Sequence, residues 1–322
     1  MAAIVYEPAG FHDSIYDITE RSFMHRLLIG IENSDLPDEE KEREIQRLPQ
    51  TVWEFWRNDD HGLAHSIKVY ERCLEISSAC LNIFRGFHGR YNLDNDQNAH
   101  MSIRMHYSAE DLNGFFVWSA LLHDFYRFLP PHDSFKEHQV KGAHLAGFCF
   151  KEDGPHECQE ILYDMLARHD YICEIVNKER LPHEFLRNPL AEIFRLADKT
   201  SLSPVDEISR YYATGKRLND RKFFDPELTM EARLNFSNDY SGWDFLNHFL
   251  LFFSIQPSDW FYGETREQYR KWQEETEGGK SRALAKIFDM AREEGCSTED
   301  IYQIREVFRS FFTKYGLPDY LC

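Results

Sequence analysis

Residues 115–127 read FFVWSALLHDFYR, and this stretch decides the fold class of the 322-residue chain. Apolar residues recur here at spacings of three and four, as they do again over 67–76, which predicts helices with a buried face. Runs of alternating β-branched residues are scarce, so the chain is predicted to be all-α. The apolar stretch ends in His123 and Asp124, two side chains that are costly to bury unless they are paired or bind a metal ion.

Proline and glycine residues mark where several predicted helices begin and end. Pro189 and Pro204 stand where a first helical turn would begin, and Gly215 and Gly316 are predicted to end helices. Towards the C-terminus, aromatic residues at helical spacing predict four further helices. These helices are expected over 243–255, 264–275, 282–294 and 298–315.

The chain is predicted to divide into three parts. Residues 1–50 form a helical lead-in, residues 51–215 form the histidine-rich domain, and residues 216–322 form a C-terminal helical region packed on that domain. Within the middle part, the stretch 86–108 is polar and weakly periodic, and it is predicted to be a long loop lying over a pocket. Its histidines are not expected to bind a metal ion.

Composition restricts the classes of partner. Lys and Arg total 37 against 55 Asp and Glu, a formal net charge of −18, and such a surface repels a phosphate backbone. Long nucleic acid is therefore not an expected partner, whereas a small phosphorylated substrate could bind in a locally basic pocket. The seven cysteines include no C-x-x-C pair, which favours a reduced, cytoplasmic protein. The most apolar segment, 245–255, is too short to cross a membrane and is expected to be core or the surface of a homo-oligomer.

Five predicted helical segments each place a histidine or an aspartate beside apolar residues. One such residue would be ordinary, but five suggest a shared cause, and a bound metal ion is the simplest one. Mixed histidine and aspartate ligands suit Fe, Mn, Ni, Co or Zn, and the absence of cysteine from the set favours a catalytic over a structural zinc site. The segments are His61–Val69, Leu121–Arg127, His138–Ala146, Leu166–Asp170 and Phe194–Lys199.

Three motifs in these segments resemble the HD superfamily of metal-dependent phosphohydrolases. They are HSIKV at 65–69, LLHD at 121–124 and LAD at 196–198, and the similarity extends over about residues 53–212. The family implies an HD-domain helical bundle with metal ions at its centre, to which this chain adds N- and C-terminal helices. His138, followed by Gly-Ala at 142–143, and His169 further resemble the two extra histidines of members that bind two metal ions.

The resemblance implies a dinuclear hydrolase of a small phosphate ester, expected to be a nucleotide. Two divalent ions, drawn from Fe, Mn, Ni, Co, Zn or Mg, would activate a bridging hydroxide that attacks phosphorus. Asp124 would bridge the ions, while Arg127 or Lys199 would stabilise charge on the phosphoryl group. The implied metal ligands are His65, His123, Asp124, His138, His169 and Asp198, and the implied catalytic residues are Asp124, Arg127 and Lys199.

The sequence leaves some ligand positions open. His61 lies one helical turn before His65 and could bind the same ion, support it or be exposed. His138 and His144 are six residues apart, about 240° around a helix, so they cannot both face one ion. The Gly-Ala spacing favours His138. Lys141 and Arg168 are further basic residues next to the expected ligands and could contact phosphate.

Two other functions are compatible with the same residues. A few HD-fold proteins use a similar ligand set for a mixed-valent di-iron centre that acts as an oxygenase. A non-catalytic HD domain could instead sense a nucleotide, with the C-terminal helices as its partner surface. Metal content, an oxygen requirement and turnover of phosphate esters would separate the three functions.

Overall fold

In a computed structural model of the chain, almost all regular structure is helical. None of the described residues lies in a β-strand, which confirms the predicted all-α class. Among the residues that the structure describes, no helix is long and apolar enough to cross a membrane. The described residues are 14–34, 36–46, 48, 56–59, 62–80, 83, 109–128, 138–149, 156–167, 169, 189–218, 221–236, 242–276 and 278–321.

The described residues form two compact units. The first comprises those up to His169 together with 189–201 and 261–268, and the second comprises 202–260 and the residues from 269 onwards. The predicted division after residues 50 and 215 stays a prediction.

The first unit is a helical bundle that carries the expected metal ligands. α5 packs against α1 and α6, and α7 packs against α3 and α6. The helices are α1 (Glu20–Asn33), α2 (Asp38–Gln46), α3 (Leu63–Ala79), α4 (Ala109–Leu122), α5 (His138–Cys149), α6 (His156–Ala167) and α7 (Pro189–Thr200).

An aromatic cluster forms part of this bundle's core. The ring of Phe23 on α1 stacks on Trp56 at 5.1 Å and meets Phe125 edge-on at 4.9 Å. Trp118 on α4 lies 6.4 Å from Phe23, and all four side chains are buried. Because aromatic rings bury large areas and prefer such offset and edge-on geometry, this cluster fixes the end of α4. The predicted apolar helix 115–122 is accordingly buried throughout.

α7 begins at Pro189, as predicted, and all of its residues are buried. Its Glu192 carboxylate accepts hydrogen bonds from the backbone N–H groups of Phe261 and Tyr262, both at 3.0 Å, and from the hydroxyl of Thr265. Burial raises the pKa of Glu192 to about 7 although these hydrogen bonds lower it. Glu192 thus joins α7 to a segment about seventy residues away within the same unit.

The second unit contains the C-terminal helices that the sequence predicts. α8 (Pro204–Leu218) and α9 (Met230–Asn235) precede α10 (Phe245–Ser254). α11 (Gly263–Glu275) contributes to this unit from Tyr269 onwards, and α12 (Gly279–Glu293) and α13 (Thr298–Tyr315) complete it. The helices expected over 243–255, 264–275, 282–294 and 298–315 are therefore confirmed to within a few residues.

The two glycines predicted as helix ends behave differently. Gly316 ends α13 with a left-handed φ of 62°, as predicted. The prediction for Gly215 is wrong, because α8 continues to Leu218. A Cβ atom at Gly215 would lie 2.3 Å from the ring of Phe245, so this glycine allows α8 to pack closely on α10 instead of ending a helix.

Candidate metal centre

His65 lies in the first turn of α3, which begins directly after Gly62. A Cβ atom at Gly62 would lie 1.5 Å from the carbonyl oxygen of Trp56, so only glycine permits the chain to approach residues 56–59 this closely. The N–H of Gly62 also donates to the carbonyl of Asp59 at 2.9 Å. This close approach sets the direction in which α3, and therefore His65, enters the bundle.

His123 and Asp124 follow α4 immediately and lead into a 3-10 turn, Phe125–Phe128. The backbone N–H of His123 still donates to Ser119 at 3.0 Å, so the direction of its side chain is set by the end of the buried helix. A Cβ atom at Gly142 on α5 would lie 3.3 Å from the carbonyl oxygen of Leu122. α5 therefore passes close to this point and brings His138 to the same place.

The structure brings the six expected ligands together in one buried cluster, with none more than 4% exposed. His65 Nε2 lies 3.1 Å from Oδ1 of Asp198, although 133 residues separate them. His123 Nε2 lies 3.3 Å from Oδ2 of Asp124 and 3.8 Å from Oδ1 of Asp198. These contacts form the first half of the cluster.

Asp124 also takes part in the second half. Its Oδ1 lies 3.4 Å from Nε2 of His138 and 3.7 Å from Nε2 of His169. Two groups of three ligands, one made of His65, His123 and Asp124 and the other of Asp124, His138 and His169, have ligand atoms within 4.8 Å of one another. Two ligands on opposite sides of one ion are about 4.2 Å apart, so each group needs only a small contraction to hold a divalent cation.

Two of the histidine rings are oriented as metal ligands need. Nδ1 of His123 donates to the carbonyl of Ala120 at 2.8 Å, and Nδ1 of His169 donates to the carbonyl of Leu166 at 2.6 Å. Because a carbonyl can only accept, Nδ1 of each ring carries a hydrogen, and Nε2 is the nitrogen that faces the cluster and is left to bind a metal ion. Neither Nε2 atom has a hydrogen bond within the described part of the chain. Buried polar atoms are rarely left so, and a cation would satisfy both.

Charges in the cluster also suit a cation. Burial would raise the pKa of Asp124, but Arg127 and His123 hold it well below its usual range. Burial likewise opposes ionisation of Asp198, whose pKa is kept well below its usual range by Lys199 and by His65. Burial, together with Arg127, lowers the pKa of His138 to about 4. Both carboxylates are therefore charged and His138 is neutral at pH 7, as metal binding requires.

His123 shows the attraction of this cluster for positive charge. Burial lowers its pKa, but the carboxylate of Asp124 more than offsets burial, and the pKa is raised overall. The negative potential that would hold a proton on His123 would equally attract a metal ion.

No family model, curated protein or solved structure matches this chain. The HD resemblance therefore depends on the sequence motifs alone. Without that resemblance, the structure shows a buried cluster of histidine and aspartate side chains that could bind metal ions.

Two of the basic residues expected near the site lie against the cluster. Nε of Arg127 is 2.6 Å from Oδ1 of Asp124, and Nζ of Lys199 is 2.8 Å from Oδ2 of Asp198. Their side chains are only 9% and 8% exposed, so these are not surface salt bridges. Each carboxylate of the cluster thus has its own basic neighbour, while the catalytic roles of Arg127 and Lys199 stay predictions.

The two histidines of α5 point in different directions. His138 is fully buried in the cluster, whereas His144 is exposed and lies 5.1 Å from the ring of Tyr163 on α6. This placement agrees with the rotation of about 240° between them. The remaining candidates lie outside the described residues or side chains: His61, the stretch 86–108 with its three histidines, Lys141 and Arg168.

Two backbone carbonyl groups contribute to the metal centre but cannot be recognised from residue types in the sequence. The carbonyl groups of Ala120 and Leu166 orient the rings of His123 and His169, and any residue type could supply them. Their spacing is nevertheless regular, because each carbonyl belongs to the residue three positions before its histidine. A histidine just after a helix C-terminus can reach back in this way, and this position relative to the helix end is a signal that the sequence carries.

Proposed function

We propose that this chain is a metal-dependent phosphohydrolase of the HD type that acts on a small phosphate ester, with a nucleotide as the expected substrate class. The observation that supports the proposal most is the pair of three-ligand groups that share Asp124. Sharing one carboxylate suits two ions that act on the same substrate.

The ligand groups divide between two ions. His65 and His123, with Asp198 3.1 Å from His65, would hold one ion, and His138 and His169 would hold the other. Nitrogen and oxygen ligands of this kind suit Fe, Mn, Ni, Co or Zn, and Mg is a weaker candidate because it prefers oxygen. When bound, such ions supply a water molecule of lowered pKa as nucleophile and offset negative charge on phosphoryl oxygens.

Arg127 and Lys199 favour an anionic substrate. The protein carries a net charge of −18, yet these two buried cations balance the two carboxylates of the cluster. Divalent ions would then make the site locally positive, which attracts phosphate. A well-aimed cation in a water-excluded site stabilises a phosphoryl transition state by roughly 3 kcal/mol. An oxygenase acting on an uncharged substrate would not need these residues.

The proposal is tested with metal-stripped protein reloaded with Mn, Fe, Ni or Mg and assayed on nucleoside phosphates and p-nitrophenyl phosphate. The reloaded protein should hydrolyse at least one ester. Asp124→Asn should lose both bound metal and turnover, because this carboxylate belongs to both ligand groups. The exposed Asp289 provides the matched control, and Asp289→Asn should keep both.

Three results would overturn the proposal. Oxygen consumption by the iron form, without ester hydrolysis, would favour the oxygenase. Stable metal binding without turnover of any ester would favour a nucleotide-sensing module. Failure of the unmodified chain to bind any of these metals would remove the basis of the proposal.

A further inference from the structure

Arg127 contacts two of the three ligand atoms in the second group. Its Nε lies 2.6 Å from Oδ1 of Asp124, and its Nη2 lies 2.9 Å from Nε2 of His138. These are the atoms through which Asp124 and His138 approach each other at 3.4 Å. Arg127 lies in the 3-10 turn directly after Asp124, so a single short segment carries a ligand and the cation that contacts it.

The contact between Arg127 and His138 prevents a metal ion from binding the same nitrogen atom. A guanidinium group only donates hydrogen bonds, and it stays charged at all ordinary pH values. Nε2 of His138 must therefore accept, and an imidazole nitrogen has one lone pair with which to do so. That lone pair can accept from Arg127 or bind a metal ion, but it cannot do both.

Lys199 does not compete in this way. Its Nζ lies 2.8 Å from Oδ2 of Asp198, whereas the other oxygen of that carboxylate, Oδ1, faces His65 and His123. Lys199 can thus keep its ion pair while the oxygen that faces the histidines binds a cation. In the part of the chain that the structure describes, the two halves of the cluster differ in this respect: Arg127 contacts the ligand nitrogen of His138, whereas Lys199 contacts the oxygen of Asp198 that faces away from the histidines.

We propose that Arg127 and a divalent ion exclude each other at His138, and that ion binding releases the guanidinium to bind the phosphate of the substrate. The inference rests on the proposed function, since it takes the second ligand group to be a metal site. Its consequence is a coupling: the second ion binds more weakly than its ligands alone would allow, and phosphate binds well only after that ion has entered.

Calorimetric titration of the metal-stripped full chain with Mn²⁺, followed by inorganic phosphate, tests this coupling. Arg127→Gln removes the competitor, so the second Mn²⁺ should bind at least tenfold more tightly than in the unmodified chain. The same variant, once loaded with Mn²⁺, should bind phosphate at least tenfold more weakly. Arg127→Lys keeps the charge but lacks the planar fork that reaches two atoms, so its affinity for the second ion should be intermediate.

Arg72→Gln is the matched control. Arg72 donates to Thr200 and pairs with Glu75, and neither is a ligand of the cluster. Loss of the same charge there should change both affinities by less than twofold. A general effect of net charge would alter the Arg72 variant as much as the Arg127 variant and would overturn the inference.

Other outcomes separate this inference from the proposed function. If the unmodified chain binds two Mn²⁺ ions and hydrolyses esters, but Arg127→Gln weakens or leaves unchanged the second ion's affinity, the exclusion is wrong and the hydrolase stands. Weaker binding of both ions in Arg127→Gln would assign Arg127 a purely structural role. If neither Mn²⁺ nor any of Fe, Ni and Mg binds to any form of the chain, both proposals are overturned.

Discussion

Glu192 is expected to make the folded chain less stable as the pH rises. Burial raises its pKa to about 7, against an ordinary carboxyl value of 4.5, so the folded state holds this proton more tightly than the unfolded state does. The stabilising contribution is therefore complete below about pH 4.5 and is lost as the pH rises through about 7. At about 1.4 kcal/mol for each pH unit between these values, the loss amounts to roughly 3.5 kcal/mol.

Urea unfolding of the unmodified chain and of Glu192→Gln, between pH 5 and pH 8, measures this contribution. Glutamine has the shape of glutamate but does not ionise, so the other titrating groups cancel in the difference between the two proteins. The unmodified chain should lose up to about 3 kcal/mol of unfolding free energy relative to Glu192→Gln as the pH rises. Most of the change should occur between pH 5 and pH 7.

The same substitution at the exposed Glu274 of α11 provides the control, and its difference from the unmodified chain should not change with pH. A flat difference for Glu192→Gln, or one that grows in favour of the unmodified chain at high pH, would refute the reasoning. In that case the hydrogen bonds from Phe261, Tyr262 and Thr265 would outweigh burial, and the ionised carboxylate would be the stable form.

Three further results are expected from the geometry. His138→Ala should lower the bound metal by about one ion per chain in elemental analysis, while His144→Ala, on the exposed face of α5, should not; equal effects would place both histidines in the same role. Metal at one hundred times its Kd should stabilise the chain by about 2.7 kcal/mol, so chelation should lower the Tm, and an unchanged Tm would contradict a metal centre. Arg233→Met should lower the free energy of unfolding in urea by about 4 kcal/mol, because it removes the charge partner that lies 2.7 Å from the buried Asp244. A loss no larger than that of the exposed Arg292→Met would contradict this.

The helices were predictable because their signals are local. α13 extends over Thr298–Tyr315, the range expected from its aromatic spacing and from Gly316. The burial of His138 and the exposure of His144 follow from helix rotation alone, once one of the two is taken to face the core. Such features depend only on residues a few positions apart.

The features that the sequence does not predict depend on residues that lie far apart along the chain. Gly215 is predicted to end a helix, but it instead permits a close contact with the ring of Phe245, which lies thirty residues later in the chain. The burial of Glu192 has no local signal in the sequence, since its hydrogen-bond partners begin at Phe261. The contact between Arg127 and His138 likewise depends on how a 3-10 turn meets the start of α5, which the two local patterns do not specify.

The complete burial of α7 has a consequence for when the centre can open. Every residue from Pro189 to Thr200 is shielded from solvent, so amide hydrogens in this helix should exchange with deuterium only when the whole first unit unfolds. Helices with an exposed face, such as α2, should exchange through small local openings instead. Asp198 and Lys199 belong to α7, so this side of the metal centre should be among the last parts of the chain to take up deuterium. The exchange rate of α7 would then report the global stability of the first unit.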